Sequence, residues 1–273
     1  MRGTAHDKFW NSEYGQKQKT ERDHIYFGTV LEHILLQNLC AFYDVGEHNE
    51  MRLHGADWND ALDMAWEKGE SVAFTCAYAG NLRNIAKTLR QLEEISGSSK
   101  IEIAHEMEDL LAGSVELYED AARKQALLAG YAKKCEHNIS GDTIIVRLDQ
   151  LAANLEGKAD WMMKNIRANE WVKDGEDGWF NGYYDNHGRK VEGVMDESVR
   201  MMLTGQVFAI MSGTATEDQV ESICRSADKY LYDQKAGGYR LNTNFHEEKF
   251  DLGRMFGFSY GDKKTEQSFP IWQ

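Results

Sequence analysis

"VLEHILLQNLCAF", residues 30–42, decides the fold class, because Val30, Leu31, Ile34, Leu35, Leu39 and Phe42 recur at steps of three and four. That spacing lays apolar side chains along one face of an α-helix, where a strand would alternate every second residue. Leu82, Ile85, Leu89, Leu92 and Ile95 repeat the period further on. "IEIAHEMEDLLAGSVELYEDAARKQALLAGYAKKC" (residues 101–135) reads as a third, long helix. Three more are expected over 147–165, 199–211 and 216–231. Between the fourth and fifth, "DGWFNGYYDNHGRKVEG" (177–193) combines aromatic residues with the D-N-H-G turn chemistry of a hairpin, which predicts a short β-ribbon. The expected fold is mainly α, built of helical hairpins with one ribbon, and it contains no internal repeat or linker.

The chain has 273 residues, 42% of them hydrophobic and 28% charged, enough for one large domain or two small ones and far from the composition of a disordered protein. No apolar run approaches the roughly 20 residues of a membrane span, so no membrane partner is expected. The opening "MRGTAHDKFW" lacks the apolar core of a secretion signal, which predicts a cytoplasmic protein. A formal charge of −14 with no basic stripe argues against a nucleic-acid partner. Cys40, Cys76, Cys135 and Cys224 lie far apart with no C-x-x-C pair, and each sits among apolar residues. They are expected to be buried thiols, with neither a disulfide nor a metal.

The chemistry concentrates in "HGADWNDALD" (54–63), where three aspartates and an asparagine surround a tryptophan. A calcium loop fits Asp57 and Asn59 but fails at Ala61 and Ala65, and His54 has no companion for zinc. The ordinary explanation is that the aspartates and the asparagine cap a helix and Trp58 anchors a core. A carbohydrate site is more specific: an indole face packs on the C–H surface of a pyranose, while carboxylates accept its hydroxyl protons or protonate the glycosidic oxygen.

The run "HGADWNDALDMAWEKGESVAF" (54–74), followed by "DGWFNGYYDNHGRKVEG" and "VRMMLTGQVFAIMSG" (199–213), resembles the catalytic region of glycoside hydrolase family 94, the inverting disaccharide and oligosaccharide phosphorylases. The H-x-A-D-W-N-D-A-L-D form is closer to the 1,2-β-oligoglucan phosphorylases than to the cellobiose enzymes. The resemblance runs from about Tyr26 to Asp262 and implies a partial (α/α)6 barrel over 1–262. It implies phosphorolysis of a β-glucosidic bond to α-glucose 1-phosphate with inversion, with no cofactor and with inorganic phosphate as co-substrate. It also implies an oligosaccharide partner and, for full-length relatives, a possible homodimer. By position in the motif, Asp60 matches the general acid and Trp58 a residue of the sugar subsite. Asp57 and Asn59 would bind hydroxyls or cap a helix. Glu70 of K-G-E-S would either reach the site or stabilise a helix N-terminus. Trp179 would flank an acceptor subsite, with hairpin packing as its alternative. Arg200 and Gln206 would lie on an inward-facing helix. Phosphate is itself the nucleophile, so one carboxylic acid suffices where an inverting hydrolase needs two.

Two other classes stay open. A non-catalytic carbohydrate-binding helical module would need no acid, and a hydrolase of a related (α/α)6 family would need a second carboxylate for water attack.

After "FGFSYGD" (256–262) the family continues as K-E-N-G-A-V-F-S-H, whereas here Lys264 stands in place of the glutamate and Ile271 in place of the histidine. Removing one nucleotide from an encoding of the family segment, with synonymous codons freely chosen, yields "KKTEQSFPIWQ" (263–273) and a stop. Residues 263–273 are therefore expected to be a frameshifted tail, and the chain by itself to be a nearly inactive fragment. Sequencing the gene across the Lys264 codon tests this: the expected result is a frame restored to E-N-G by inserting one nucleotide. A frame not so related overturns it.

Overall fold

The computed structural model describes residues 17–54, 65, 67–195, 198–245 and 270–272, the last three by their backbone. Among these residues are seven α-helices: α1 (Val30–Tyr43), α2 (Val72–Ser96), α3 (Val115–Glu119), α4 (Ala121–Lys134), α5 (Leu148–Asn169), α6 (Leu203–Met211) and α7 (Glu217–Tyr230). A 3₁₀ helix covers His105–Leu111, and the strands are short and paired in small two- or three-stranded sheets. The protein is mainly α. The chain forms two compact units, one from Met1–Asp44 and Leu82–Lys158, the other from Val45–Asn81 and Ala159–Gln273.

In the first unit, α1 starts where the Thr29 hydroxyl accepts the Glu32 N–H at 3.0 Å. Its buried stripe is Leu35, Leu39 and Phe42, whereas Val30 and Ile34 of the same apolar pattern are exposed. The single long helix expected over 101–135 does not form. Lys100–Ala104 is a strand paired antiparallel with Thr143–Arg147, since alternating "KIEIA" faces the β-branched "TIIVR". Two capping side chains then restart the helix inside the expected run. Ser114 Oγ accepts the Leu117 N–H at 3.2 Å and opens α3, and Asp120 Oδ1 accepts the Arg123 N–H at 2.9 Å and opens α4.

The end of the 3₁₀ helix is held by side chains from elsewhere in this unit. Tyr43 Oη donates to the carbonyls of Leu110 (3.1 Å) and Ala112 (2.8 Å), and Asn154 Nδ2 donates to that of Leu111 (2.8 Å). Lys158 Nζ donates to Ala112 O at 2.9 Å and to Asn154 Oδ1 at 2.7 Å. Lys124 and Lys158 are both buried, with their ammonium nitrogens 4.1 and 5.4 Å from the centre of the Phe42 ring. Burial, and secondarily repulsion by Lys124, pushes the Lys158 amine down to about 7.

In the second unit, α7 carries a capping box between Thr216 and Gln219, and it packs with the hairpin Trp171–Asp174/Asp177–Phe180. Gly175, at φ +63°, makes the turn of that hairpin, so the ribbon begins earlier than expected. The D-N-H-G turn also forms, with the Gly188 N–H on Asp185 O at 2.9 Å, but Tyr183–Tyr184 pairs with Glu70–Ser71 instead of completing a long ribbon. Val199–Arg200 is a strand paired with Gly193–Val194, so the fifth helix starts only at Leu203. Pro270–Trp272, in a segment without period, pairs with Gly238–Arg240. Proline is compatible there because the edge of a sheet needs no donor on its open side.

No disulfide joins the four cysteines. Only Cys76 is fully buried, and Cys224 is exposed, against the expectation. On α7 the buried positions are Ser222, Ile223, Ser226 and Ala227, and Cys224 falls one residue off that stripe. Among the described residues, no helix is long and apolar enough to cross a membrane.

The depressed Lys158 amine sets a pH dependence. Between about 7 and 10.5 the unfolded chain holds a proton that the folded chain lacks, so stability rises with pH through that window. The gain is at most about 1.4 kcal/mol per pH unit. Chemical denaturation of the protein at pH 7, 8 and 9 should show this slope, and Lys158→Met should flatten it.

Candidate active site: the frame of the acidic loop

Asp57, Trp58, Asn59, Asp60 and Asp63 lie outside the described residues, and the structure defines what surrounds the residues on either side of that acidic segment. Met51–Arg52 enters it paired antiparallel with Glu70–Ser71, in the register Met51↔Ser71 and Arg52↔Glu70. Above that pair the Leu53 N–H donates to Gly69 O at 2.9 Å, and the Gly69 N–H donates to Ala65 O at 2.7 Å. A Cβ on Gly69 would stand 2.1 Å from that Ala65 oxygen, so the close turn needs glycine. Asn186, in the D-N-H-G turn, accepts the N–H groups of Glu67 (2.9 Å) and Lys68 (3.0 Å) on its Oδ1. Leu53 and Ala65 are buried in one cluster with Tyr183, Val191, Met202 and Phe245.

Glu70 is 1% exposed, and its carboxylate fills the turn that precedes the loop. It accepts the backbone N–H of His48 (3.1 Å) and of Glu50 (3.0 Å), and Oε1 lies 2.7 Å from His48 Nδ1. The turn closes through Gly46 N–H to Glu50 O at 2.8 Å, and a Cβ on Gly46 would sit 2.3 Å from Glu70 Cδ. Burial pushes the Glu70 carboxyl up, and the hydrogen bonds from His48 and Glu50 offset only some of that. The His48 ring stacks on Tyr184 at 3.7 Å. Glu70 does not serve the N-terminus of α2: Ser71 Oγ takes that place, accepting the Phe74 N–H at 3.0 Å.

Two further buried glutamates organise the ribbon. Glu170 accepts from Tyr184 Oη (2.8 Å) and Asn181 Nδ2 (3.0 Å), with Lys190 Nζ 3.4 Å away. Glu192 accepts the N–H groups of Gly182 and Met202, each at 2.7 Å, and burial holds its carboxyl well above the usual carboxylate range. Gly182 and Gly205 meet beside it, where a Cβ on Gly205 would lie 2.9 Å from Gly182 Cα. Gln206 clasps the Phe180 backbone from α6, accepting its N–H at 2.8 Å and donating to its carbonyl at 2.7 Å.

Trp179 is fully buried, edge-to-face with Tyr230 at 5.7 Å, and Phe180, Tyr183 and Tyr184 are buried with it. These rings pack the ribbon and leave no open face for a sugar, in line with the hairpin alternative. Arg200, on its strand, lies over the Phe245 ring at 5.1 Å. The structure thus places Glu70 inside the turn formed by residues 46–50 and keeps Trp179 in the core. His48, Glu170, Glu192 and Asn186 were not singled out from the sequence. Of the four, Glu192 alone lies against glycines with no room for a side chain, Gly182 and Gly205.

Residues 146–270 match the family model described as the glycosyl hydrolase 94 superfamily, catalytic domain. Solabiose phosphorylase of Paenibacillus borealis is 25% identical over 236 residues, which make up 86% of this chain and 23% of that protein. The chain spans about a quarter of the length of the curated relative it matches. The first match is to the family that the motif resembles, and the second is to a phosphorylase.

The grip of Asn186 on the loop is testable. Asn186→Ala removes the acceptor shared by the Glu67 and Lys68 amides. Hydrogen exchange at those two amides should speed up, and the protein should lose about 1 kcal/mol of stability. Unchanged exchange there would mean that the sheet alone holds the loop.

Proposed function

We propose that this chain carries the acid-bearing loop of an inverting glycoside phosphorylase acting on β-linked gluco-oligosaccharides, with β-1,2 linkages as the preferred class. The observation that carries the reading is the match of residues 146–270 to the family's catalytic domain, together with the D-W-N-D sequence between Met51–Arg52 and Glu70–Ser71, two strands that pair with each other. In this reading the Asp60 carboxyl gives its proton to the glycosidic oxygen while a phosphate oxygen attacks the anomeric carbon from the opposite face. The C–O bond to the leaving sugar breaks as the C–O bond to phosphate forms, and α-glucose 1-phosphate leaves with inverted configuration. Trp58 supplies a stacking face, and Asp57 and Asn59 hold hydroxyl groups. Glu70 and Trp179 contribute from beneath, by fixing the turn and the ribbon. Phosphate serves as co-substrate and no cofactor is needed.

The solabiose phosphorylase match supports phosphorolysis of a glycoside, and the H-x-A-D-W-N-D-A-L-D form supports the β-1,2 preference. The chain by itself is expected to turn over little substrate, and it works in the cytoplasm. The experiment incubates 1,2-β-linked gluco-oligosaccharides and inorganic phosphate with this chain and with a version lengthened at both ends to the extent of its relatives, and it measures glucose 1-phosphate. Phosphate-dependent product from the longer protein is expected, falling roughly 10²–10⁴-fold in Asp60→Asn. A longer protein that binds the oligosaccharide equally well with Asn at position 60 and forms no glucose 1-phosphate would make it a non-catalytic carbohydrate-binding module.

A further inference from the structure

Asp60 lies in sequence between Met51–Arg52 and Glu70–Ser71, two strands that pair antiparallel. The contacts that fix this pair therefore set the two stems of the acid-bearing segment. Glu70 supplies part of the fixing, because its carboxyl takes the backbone N–H groups of His48 (3.1 Å) and Glu50 (3.0 Å). Any residue but proline at position 48 would give the first of these amides. The His48 ring adds a third donor: Nδ1 lies 2.7 Å from Glu70 Oε1, on a carboxyl that is 1% exposed. Burial pushes that carboxyl up, and the hydrogen bond from the His48 ring is the largest of the contacts that oppose the rise.

The ring is itself held from two directions. One face stacks on Tyr184, with centroids 3.7 Å apart and planes 12° from parallel. Tyr184 belongs to the strand that pairs with Glu70–Ser71 on its other side, and its hydroxyl is tied to buried Glu170 at 2.8 Å. At the ring's edge, Cε1 stands 3.6 Å from where a Cβ on Gly188 would lie, in the turn whose Asn186 accepts the Glu67 and Lys68 amides. His48 thus touches both the strand pair and the ribbon beside it. Its side chain keeps 32% of its surface exposed, so it serves the fold more by this polar contact than by buried area.

We infer that His48 is a positioning residue of the proposed phosphorolysis: acting through Glu70, its ring holds the two stems of the acid-bearing segment in the register from which Asp60 delivers its proton. The inference rests on the phosphorolysis reading and gives His48 no contact with substrate. A displacement of about 1 Å at a reacting group costs on the order of a hundredfold in rate, so a small slackening of the stems reads out in turnover.

Two measurements test it. In this chain, His48→Ala should speed hydrogen exchange at the Glu50 amide, which is bonded to Glu70, and at the Leu53 amide, which is bonded to Gly69 across the stems. In the version lengthened to the extent of its relatives, the same variant should lower kcat at least about tenfold while KM stays within about twofold. A histidine that only supported the fold would lower activity in proportion to the folded fraction. His48→Asn, whose Nδ2–H takes the place of the Nδ1–H donor, should recover most of kcat and slow the exchange again. His48→Phe keeps the stacking on Tyr184 but has no donor, and it replaces His48→Ala in both measurements if that variant does not fold. Unchanged exchange at both amides, or a donor-less variant as active as its parent, would overturn the inference alone. A lengthened parent that makes no glucose 1-phosphate would overturn the phosphorolysis reading and the inference with it.

Discussion

The second unit depends on a single buried carboxylate. Glu70 sits inside the turn formed by residues 46–50, and its oxygens are the acceptors that let the His48 and Glu50 amides leave water. A carboxylate so placed is tolerated only with its hydrogen bonds complete, and that requirement fixes several other things at once. It leaves no room for a side chain at position 46. It also places the backbone of Glu70 and Ser71 between two partners, Met51–Arg52 on one side and Tyr183–Tyr184 on the other. The Ser71 hydroxyl then starts α2, and Asn186, just beyond Tyr184, reaches the Glu67 and Lys68 amides. The described residues on either side of the acidic segment are thereby tied to separate stretches of sequence through polar contacts with defined directions. Apolar packing around Leu53 and Ala65 fills in beneath without specifying register.

Glu192 has the equivalent role in the layer beyond. It joins the Gly182 and Met202 amides, and the Gly182–Gly205 approach brings the ribbon against the start of α6. Glu170 does so for Tyr184 and Asn181. Together with Glu50, whose Oε1 accepts from Asn165 Nδ2 at 3.2 Å, these glutamates are each no more than 2% exposed. The second unit is thus braced by buried acids, of which Glu70 and Glu192 accept backbone amides and Glu170 and Glu50 accept side-chain donors.

The helical portion of this arrangement was legible because its cause is local. α5 and α7 carry a 3.6-residue apolar period, and their observed bounds follow the expected ones closely, whereas α2 begins at Val72, well before the apolar pattern that starts at Leu82. The run over 101–135 misled for an equally local reason. Its apolar count suits a helix, but Ser114 and Asp120 outcompete helix continuation by accepting amides at new N-termini, and the 100–104 segment gains more by pairing with β-branched Thr143–Arg147. Val30 and Ile34 show the limit of periodicity in another way, since the pattern gives a face but not whether anything covers it. At the candidate site the D-W-N-D motif was readable, and its frame was not. Glutamates in "GEHNE", "NEWV" and "KVEG" look like solvated charges in a sequence, and only long-range partners reveal them as buried. Trp179 erred the other way, as an aromatic residue with sugar-stacking chemistry that the fold spends on packing against α7.

The occupation of those glutamates also bears on the choice between phosphate and water as nucleophile. A hydrolase working with inversion needs a second carboxylate that is ionised, reachable by water and spaced across the sugar from the acid. Glu70, Glu170 and Glu192 are buried carboxylates of this unit, and each already accepts two or more hydrogen bonds from its own fold. Drawing any of them off to activate water would strand buried amide or hydroxyl donors, a cost comparable to the catalytic gain sought. A nucleophile that arrives already charged makes no such demand.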